Sequence, residues 1–266
     1  MPGLQPFGGP AVSKSGRTAA RERIRLERER AARRQRRNRA LLIIGGALAV
    51  IVIAIVVIVV ARPGQSKSAA VHGAYYTGPF PPVTLNSDHS VTAAKPGVST
   101  PVLDIYEDFQ CPICDAFEKA NGGMVQKLAA EGKVRVVYHP FTIFLGEQPQ
   151  QDNSVRAWAA AWCVPAGRWL LYHNLLYANQ QPETTPGGFP VSQLLALGRR
   201  AGLTSPSFTS CVSSQRYAPE AVPLSEQIIK SGITGTPTVQ LNGHPISNSV
   251  LVVPGTALEK MILAAH

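Results

Sequence analysis

One uninterrupted apolar segment, at residues 41–61, constrains this chain more than any other feature of its sequence. It contains 21 residues without a charged side chain. As an α-helix it would be about 31 Å long, enough to cross the roughly 30 Å hydrocarbon core of a bilayer. Arginines crowd residues 33–39, whereas residues 62–67 hold one Arg and one Lys. The positive-inside rule therefore predicts a single transmembrane helix, with residues 1–40 in the cytoplasm and the following chain outside.

The positive charge of the chain is concentrated in the tail before this segment. Residues 1–40 hold 12 Lys and Arg against 3 Glu, which accounts for +9 of the net charge of +10. The rest of the chain is therefore nearly neutral. A nucleic-acid-binding protein typically carries its basic residues on a folded domain. The charge pattern argues against nucleic acid as a partner and favours a lipid membrane.

A cleaved signal peptide is the main alternative to a membrane anchor. The apolar region of a signal peptide normally has about 7–15 residues, and Ser68-Ala69-Ala70 makes a poor cleavage site. We therefore expect an uncleaved, single-pass anchor in the cell membrane that carries an extracytoplasmic domain. Residues 62–80 are rich in Pro, Gly, Ser and Ala and are predicted to form a linker.

Hydrophobic patterning predicts an α/β domain over residues 81–266. The first elements are predicted to be a small hairpin (83–85 and 90–92), a strand (101–109), a helix bent near Gly122-Gly123 (111–131) and a second strand (133–138). A block of helices follows at about 145–231. The last predicted elements are a strand (238–241), a turn at Asn242-Gly243, a partner strand (246–253) and a closing helix to His266.

Cys111 and Cys114 form a C-x-x-C pair that directly follows a predicted strand and opens a predicted helix. A helix N-terminus carries about half a positive charge and N–H groups without intrahelical partners, and both stabilise a thiolate. The sequence therefore predicts a lowered pKa for Cys111, as the exposed nucleophile of the pair. Pro112 suits the first helical position, and helical spacing places Cys114 with Phe117 on an inward face.

The other two cysteines, Cys163 and Cys211, lie within the predicted helical block. Zinc would need four ligands, and neither of these residues belongs to a second C-x-x-C pair, so no metal is predicted. Outside the cytoplasm an even number of cysteines favours disulfides. We predict a structural disulfide between Cys163 and Cys211, worth about 4 kcal/mol by chain entropy, rather than a second redox pair.

A second motif, GITGTPTVQLNG at residues 232–243, joins a predicted helix to a predicted strand. Proline cannot donate a hydrogen bond to a strand ladder, so Pro237 directly before a strand indicates a special turn. This motif and the CPIC pair, which follows YEDFQ, together resemble the thioredoxin superfamily. The helical block between the second and third core strands resembles its DsbA branch.

The resemblance covers about residues 80–266 and implies a thioredoxin fold with an inserted helical domain. It implies that Cys111 and Cys114 are the catalytic redox pair and that Pro237 is cis and lies beside them. It also implies that the backbone of Thr236 pairs with an extended substrate segment.

The chain departs from this pattern at two positions. Ile113 stands where the best-known DsbA enzymes have a thiolate-stabilising His, so a milder oxidant is expected. Ile105 stands where thioredoxins and DsbA place a buried acid, six residues before the first cysteine. Asp104, Glu107 and Asp108 are the nearby candidates for proton transfer; alternatively, they are solvated at the end of the strand.

The resemblance implies an enzyme, a protein thiol–disulfide oxidoreductase that needs no cofactor. We expect it to oxidise cysteine pairs of unfolded secreted or cell-envelope proteins. In relatives the reduced pair is reoxidised by a quinone-linked membrane protein of the DsbB or vitamin K epoxide reductase type. Two alternatives stay open: a disulfide reductase or isomerase of the same fold, and a non-catalytic thioredoxin-like binding module or chaperone.

Overall fold

The structure is a computed structural model that describes residues 71–253 and 256–265. The predicted cytoplasmic tail, the predicted transmembrane helix and the first part of the predicted linker lie outside these residues. Within the described ranges, no helix is both long enough and apolar enough to cross a membrane.

A six-stranded mixed sheet has the strand order β1-β2-β4-β3-β5-β6. Its strands are β1 (Val83–Leu85), β2 (Val91–Ala93), β3 (Val102–Glu107), β4 (Arg135–Pro140), β5 (Thr238–Leu241) and β6 (His244–Pro245). The central strands β3 and β4 are parallel, and every other pairing in the sheet is antiparallel. The predicted β-α-β unit and the predicted hairpin at the start of the domain are therefore present.

The crossover from β3 to β4 is a helix with an irregular middle. It comprises α1 (Pro112–Phe117), a π-helical turn (Glu118–Gly122) and α2 (Gly123–Glu131). The predicted bend near Gly122-Gly123 corresponds to this turn. A Cβ atom at Gly122 would collide with the carboxylate of Glu118, which folds back over the glycine.

Five helices lie between β4 and β5 and form the helical insertion. They are α3 (Gln150–Ala161), α4 (Ala166–Ala178), α5 (Val191–Arg200), α6 (Pro206–Ser213) and α7 (Ala218–Lys230). In α4, nine of the 13 residues are buried, as expected of a helix that is apolar on most sides. Because α4 packs against α1 and the π-helical turn, the insertion contacts the helix that begins at the cysteine pair.

The predicted partner strand at 246–253 is wrong. Strand β6 comprises only His244–Pro245, and the N–H of Ile246 makes one more hydrogen bond to the Val239 carbonyl at 2.8 Å. The pairing ends there because Ser247 is the N-cap residue of the next helix. The chain then forms a short helix, α8 (Asn248–Leu251), and the domain closes with α9 (Thr256–Ala264).

Residues 71–80, predicted to belong to the linker, lie against the insertion and α1. The Asn179 side chain accepts a hydrogen bond from the His72 N–H at 2.6 Å and donates one to the His72 carbonyl at 3.0 Å. Further along, the Tyr75 hydroxyl donates to Asp115 of α1 at 2.9 Å. These hydrogen bonds make the segment part of the folded domain, so a linker can extend only to residue 70.

Candidate active site

Cys111 occupies the N-cap position of α1, with extended backbone angles, and Pro112 is the first helical residue. The Cys111 N–H donates to the Asp108 carbonyl at 3.0 Å, and the Cys111 carbonyl accepts from the Asp115 N–H at 3.2 Å. These bonds fix the turn from β3 into α1. The Cys111 side chain therefore lies at the positive end of a helix, as the sequence predicts.

Cys111 is less exposed than predicted. Its relative exposure is 6%, and that of Cys114 is 0%. The loop before β5 covers Cys111, because the Cys111 Sγ lies 3.4 Å from the Thr236 carbonyl oxygen. Cys111 is thus the more accessible member of a buried pair, and both residues are free thiols in this structure.

The two thiols differ in acidity. A hydrogen bond from the Cys114 thiol lowers the pKa of Cys111, although burial opposes this effect. Burial raises the pKa of Cys114 well above its usual value. The Cys114 N–H also favours the Cys111 thiolate, as expected of an unpaired N–H group in the first turn of a helix. One sulfur is suited to be a thiolate and the other to stay protonated.

Thr236 and Pro237 lie beside the cysteine pair, although Thr236 is 125 positions after Cys111 in the sequence. The Thr236–Pro237 peptide bond is cis. The structure therefore brings together the four positions that the resemblance singled out. Pro237 is buried, and the Thr236 side chain is half-buried.

The three candidate carboxylates have different environments. Alternate residues of β3 point to opposite faces, so Asp104 lies on the face away from Glu107. There its Oδ1 lies 2.9 Å from His139 Nε2, and its side chain is 23% exposed. Glu107 and Asp108 are fully buried. The alternative that all three are solvated is therefore wrong for Glu107 and Asp108.

Asp108 connects the start of the cysteine helix to the insertion. It accepts hydrogen bonds from the Ser154 hydroxyl at 2.6 Å, the Gln110 N–H at 2.8 Å and the Ile143 N–H at 2.9 Å. Burial raises its pKa to about 6, and these hydrogen bonds limit the rise. Asp108 can therefore change its protonation state near neutral pH.

A buried polar cluster joins Glu107, whose charge acts on Cys114, to two residues that the sequence analysis did not single out. We call Glu107, Glu118 and His173 the acid–histidine cluster; one side-chain ligand atom from each lies within 4.8 Å of the others. This spacing could admit a metal ion. However, His173 and Tyr177 already provide hydrogen bonds to the two Glu107 oxygens, at 2.8 and 3.1 Å. We therefore interpret the cluster as hydrogen-bonded and not as a metal centre.

Two sequence signals could have identified this cluster. Glu118 lies four residues after Cys114, on the same face of a helix. His173, with Asn174, interrupts the apolar run from Trp169 to Tyr177. An ionisable residue in such a run is buried and needs a partner, but sequence alone does not identify that partner.

The second pair, Cys163 and Cys211, forms a disulfide bond in the structure, with Cα atoms 5.8 Å apart. Cys163 comes directly after the C-cap residue of α3, and Cys211 lies within α6. The bond therefore joins two helices of the insertion, and no element of the core sheet carries either cysteine.

Comparison with known proteins places this geometry in a family. Residues 98–252 match the family model Thioredoxin_4, described as thioredoxin, over more than half of the chain. No curated protein sequence matches the chain significantly.

Solved structures provide further likenesses. The reduced form of the disulfide bond oxidoreductase DsbG from Mycobacterium tuberculosis is 28% identical, with a TM-score of 0.50, covering 65% of this chain and 88% of its own. Oxidised DsbA from the same organism is 26% identical, with a TM-score of 0.51, covering 70% of this chain and 99% of its own. MdbA, a thiol-disulfide oxidoreductase from Corynebacterium diphtheriae, shares the fold at 19% identity and a TM-score of 0.57, covering 72% of this chain and 97% of its own. The chain therefore belongs to the thioredoxin family, and within it the fold is that of the DsbA-like thiol–disulfide oxidoreductases.

Proposed function

We propose that this chain oxidises cysteine pairs of secreted or cell-envelope proteins through a Cys111–Cys114 disulfide. The observation that carries the proposal is the position of the Cys111 sulfur, at a helix N-terminus and 3.4 Å from the Thr236 carbonyl. The lowered pKa of Cys111 and the raised pKa of Cys114 support different roles for the two sulfurs.

The reaction begins with the oxidised enzyme. A substrate thiolate attacks the Cys111 sulfur, the bond between Cys111 and Cys114 breaks, and Cys114 leaves as a thiolate that takes up a proton. The second substrate thiolate then attacks the substrate sulfur of the mixed disulfide and expels Cys111 as a thiolate. The substrate has gained a disulfide, and the enzyme has gained two electrons. The low pKa of Cys111 favours this second step, because a more acidic thiol is a better leaving group.

Thr236 and Pro237 are proposed to bind the substrate backbone. Their loop leads directly into β5 and lies beside Cys111. An extended segment that pairs with the backbone of Thr236 would place its cysteine next to the Cys111 sulfur. Backbone pairing is independent of side-chain identity, which suits an enzyme that acts on many unfolded chains.

Proton transfer to and from Cys114 is proposed for Glu107 and Asp108, and no longer for Asp104. Both carboxylates are buried, and the negative charge of Glu107 contributes to the raised pKa of Cys114. The side chain of Asp104 is on the other face of β3, where it contacts His139.

The cellular setting is also a proposal and rests on the sequence. The apolar segment at 41–61 and the basic tail before it support an anchor with the catalytic domain outside the cytoplasm. A tether raises the effective concentration of the enzyme near a membrane-bound partner. We propose that this partner is a quinone-linked reoxidant of the DsbB or vitamin K epoxide reductase type.

The redox state of Cys111–Cys114 in intact cells tests the direction of the reaction. Trapping of free thiols by alkylation should find the pair mostly as a disulfide. A purified domain should have a reduction potential closer to about −120 mV, as in DsbA, than to about −270 mV, as in thioredoxin. A pair found mostly as a dithiol with a low potential would contradict the oxidase proposal.

One observation favours a reductase or isomerase as the second candidate. Ile113, between the two cysteines, is 49% exposed and has no side-chain group that could donate a hydrogen bond to a thiolate. A less stabilised thiolate makes the pair a weaker oxidant. The same potential measurement separates the two candidates.

A further inference from the structure

The charge of the folded domain is close to zero in sum but unevenly distributed. Residues 71–266 hold 12 Lys and Arg against 13 Asp and Glu. Within them, residues 153–219 hold five Arg and one Glu, a net charge of +4, which leaves −5 for the rest of the domain. Four of the five Arg are exposed, whereas Glu183, the one carboxylate in this range, is half-buried. Most of the helical insertion therefore carries exposed positive charge without exposed negative charge from the same range.

Three of these arginines lie at the C-terminal end of α5. Arg199 and Arg200 are exposed in its last turn. The guanidinium carbon of Arg168, near the start of α4, lies 3.9 Å from the position that a Cβ atom on Gly202 would take. A helix C-terminus favours nearby cations, but none of the three arginines forms an ion pair with a carboxylate of the described ranges. We call Arg168, Arg199 and Arg200 the basic patch; its charges are available to an external anion.

The chain enters the folded domain beside the basic patch. The Arg200 guanidinium donates a hydrogen bond to the Val71 carbonyl, and the Asn179 side chain holds the next residue, His72. Nine residues, 62–70, separate Val71 from the apolar segment, and at full extension they reach about 32 Å. A domain of this length is about 40 Å across. If the apolar segment spans a membrane, this short linker favours contact of the lipid with the side of the domain that carries the basic patch.

We propose that the basic patch docks on anionic lipid headgroups of the membrane in which the chain is anchored. The inference rests on the proposed anchor and goes beyond it, because it assigns a lipid-binding surface to the helical insertion. A guanidinium group can donate two hydrogen bonds to one phosphate. Each arginine near an anionic lipid surface favours docking by about fivefold. The negative net charge of the rest of the domain is repelled by the same surface, so the charge distribution favours one orientation.

The basic patch is separate from the cysteine pair. The Gln180 side chain, which follows α4, donates a hydrogen bond to the Cys111 carbonyl at 3.0 Å, whereas Arg168 lies near the start of the same helix. The helical steps from Arg168 to the end of α4 correspond to about 15 Å. Thiol exchange at Cys111 should therefore continue when the domain is docked, and loss of the basic patch should not reduce it.

The tryptophans of the chain provide a built-in probe of docking. All three, Trp158, Trp162 and Trp169, lie in the helical insertion. Energy transfer from tryptophan to dansyl-labelled lipid headgroups therefore increases when the insertion approaches the lipid. The full-length chain is reconstituted in phosphatidylcholine vesicles with or without about one-third phosphatidylglycerol. Transfer should be greater in the anionic vesicles, and it should fall to the neutral level in 1 M salt, where the screening length is about 3 Å.

Replacing the three arginines tests the surface itself. A variant with Arg168→Gln, Arg199→Gln and Arg200→Gln should show the same transfer in anionic as in neutral vesicles. The corresponding three Arg→Lys substitutions keep the charge and should retain most of the difference. Oxidation of a reduced model peptide in the same vesicles shows that each variant is folded.

A variant with Lys127→Gln, Lys133→Gln and Lys260→Gln is the matched control. It removes three exposed positive charges outside the insertion and should leave the transfer unchanged. An equal loss in this variant would show that net charge alone attracts the domain, and would overturn the basic patch as the docking surface. Equal transfer of the wild-type chain in neutral and anionic vesicles would also overturn the proposal, even if a soluble polyanion such as dextran sulfate bound the chain.

The same preparation separates this inference from the proposed function. A chain that does not float with the vesicles would overturn the proposed anchor, and this inference with it. A vesicle-bound chain that does not oxidise the model peptide would instead overturn the oxidase proposal, whereas greater energy transfer in anionic vesicles would still support docking.

Discussion

The first cysteines of the two pairs, Cys111 and Cys163, lie at opposite ends of helices. Cys111 caps the N-terminus of α1, where the helix favours negative charge, and its pKa is lowered. Cys163 follows the C-terminus of α3, where the helix disfavours a thiolate. Cys114 lies three positions after Cys111, next to a loop proposed to bind substrate, whereas Cys211 lies 48 positions after Cys163.

The difference shows how one chain can contain a reactive pair and a structural pair made of the same atoms. Reactivity needs an acidic thiol beside a site that admits another chain. Stabilisation needs a long loop between the cysteines, because closing it removes more freedom from the unfolded chain. Each pair in this domain meets one of these requirements and fails the other.

Removing a sulfur from the first pair should have the largest effect. Cys111→Ser removes the sulfur that the substrate thiolate attacks, so we expect the rate of dithiol oxidation to fall by about a thousandfold or more. The loss of free thiols from a reduced model peptide measures this rate. As the control, Cys163→Ser with Cys211→Ser should keep a rate near that of the wild type. Comparable losses in both variants would remove the distinction between the pairs.

Removing the second pair should act on stability. The variant with both Cys163→Ala and Cys211→Ala should lose up to about 4 kcal/mol of unfolding free energy, because its unfolded chain is no longer constrained. Denaturant unfolding measures this loss, and the reduction potential of Cys111–Cys114 should not change. An unaltered unfolding free energy would show that the bond contributes nothing to the fold.

A substitution between the reactive cysteines should make Cys111 more acidic and the first pair more oxidising, which increases its difference from the structural pair. Ile113→His places an imidazole in a half-exposed position next to the thiolate, and we expect the pKa of Cys111 to fall by about one unit. The enzyme would then be about tenfold more oxidising in equilibrium with glutathione. Thiolate absorbance near 240 nm across a pH titration measures the change, and Ile113→Val is the control. A pKa that stays at its wild-type value would show that the helix and Cys114 already determine the acidity.

The smallest effect is expected at the segment that precedes the sheet. Tyr75→Phe removes the hydrogen bond to Asp115 at 2.9 Å in α1. Because Tyr75 is 40% exposed, the expected loss of unfolding free energy is about 0.5–1 kcal/mol. Exchange at Cys111 should stay within about twofold of the wild-type rate. A larger loss of exchange would mean that this segment also supports the reactive pair.

Much of the fold could be predicted because its patterns are local. The alternation in β3, the helix that begins at Pro112 and the Asn-Gly turn at 242–243 each depend on neighbouring residues, and the structure contains all three. The predicted second strand, at 133–138, is present as Arg135–Pro140. The partner strand at 246–253 was wrong because pairing with β5 ends at Ile246 and residues 248–251 form a short helix.

The candidate site was harder to predict, because its surroundings come from distant parts of the chain. A helix start favours a thiolate at Cys111, but sequence does not show that the loop at Thr236 covers the sulfur. The carboxylate of Glu107 is buried because α4, which follows in the inserted block, supplies His173 and Tyr177. Sequence reasoning can therefore identify the reacting atoms more readily than the groups that surround them.

Gly122 shows how a helix can be kept locally weak so that a side chain one turn earlier has room. Alanine favours a helix over glycine by about 1 kcal/mol, so local propensity alone would select a larger residue here. The missing side chain of Gly122 is what leaves space for the Glu118 carboxylate. Engineering that replaced this glycine to strengthen the helix would displace the buried Glu118 carboxylate from its place beside Glu107 and His173.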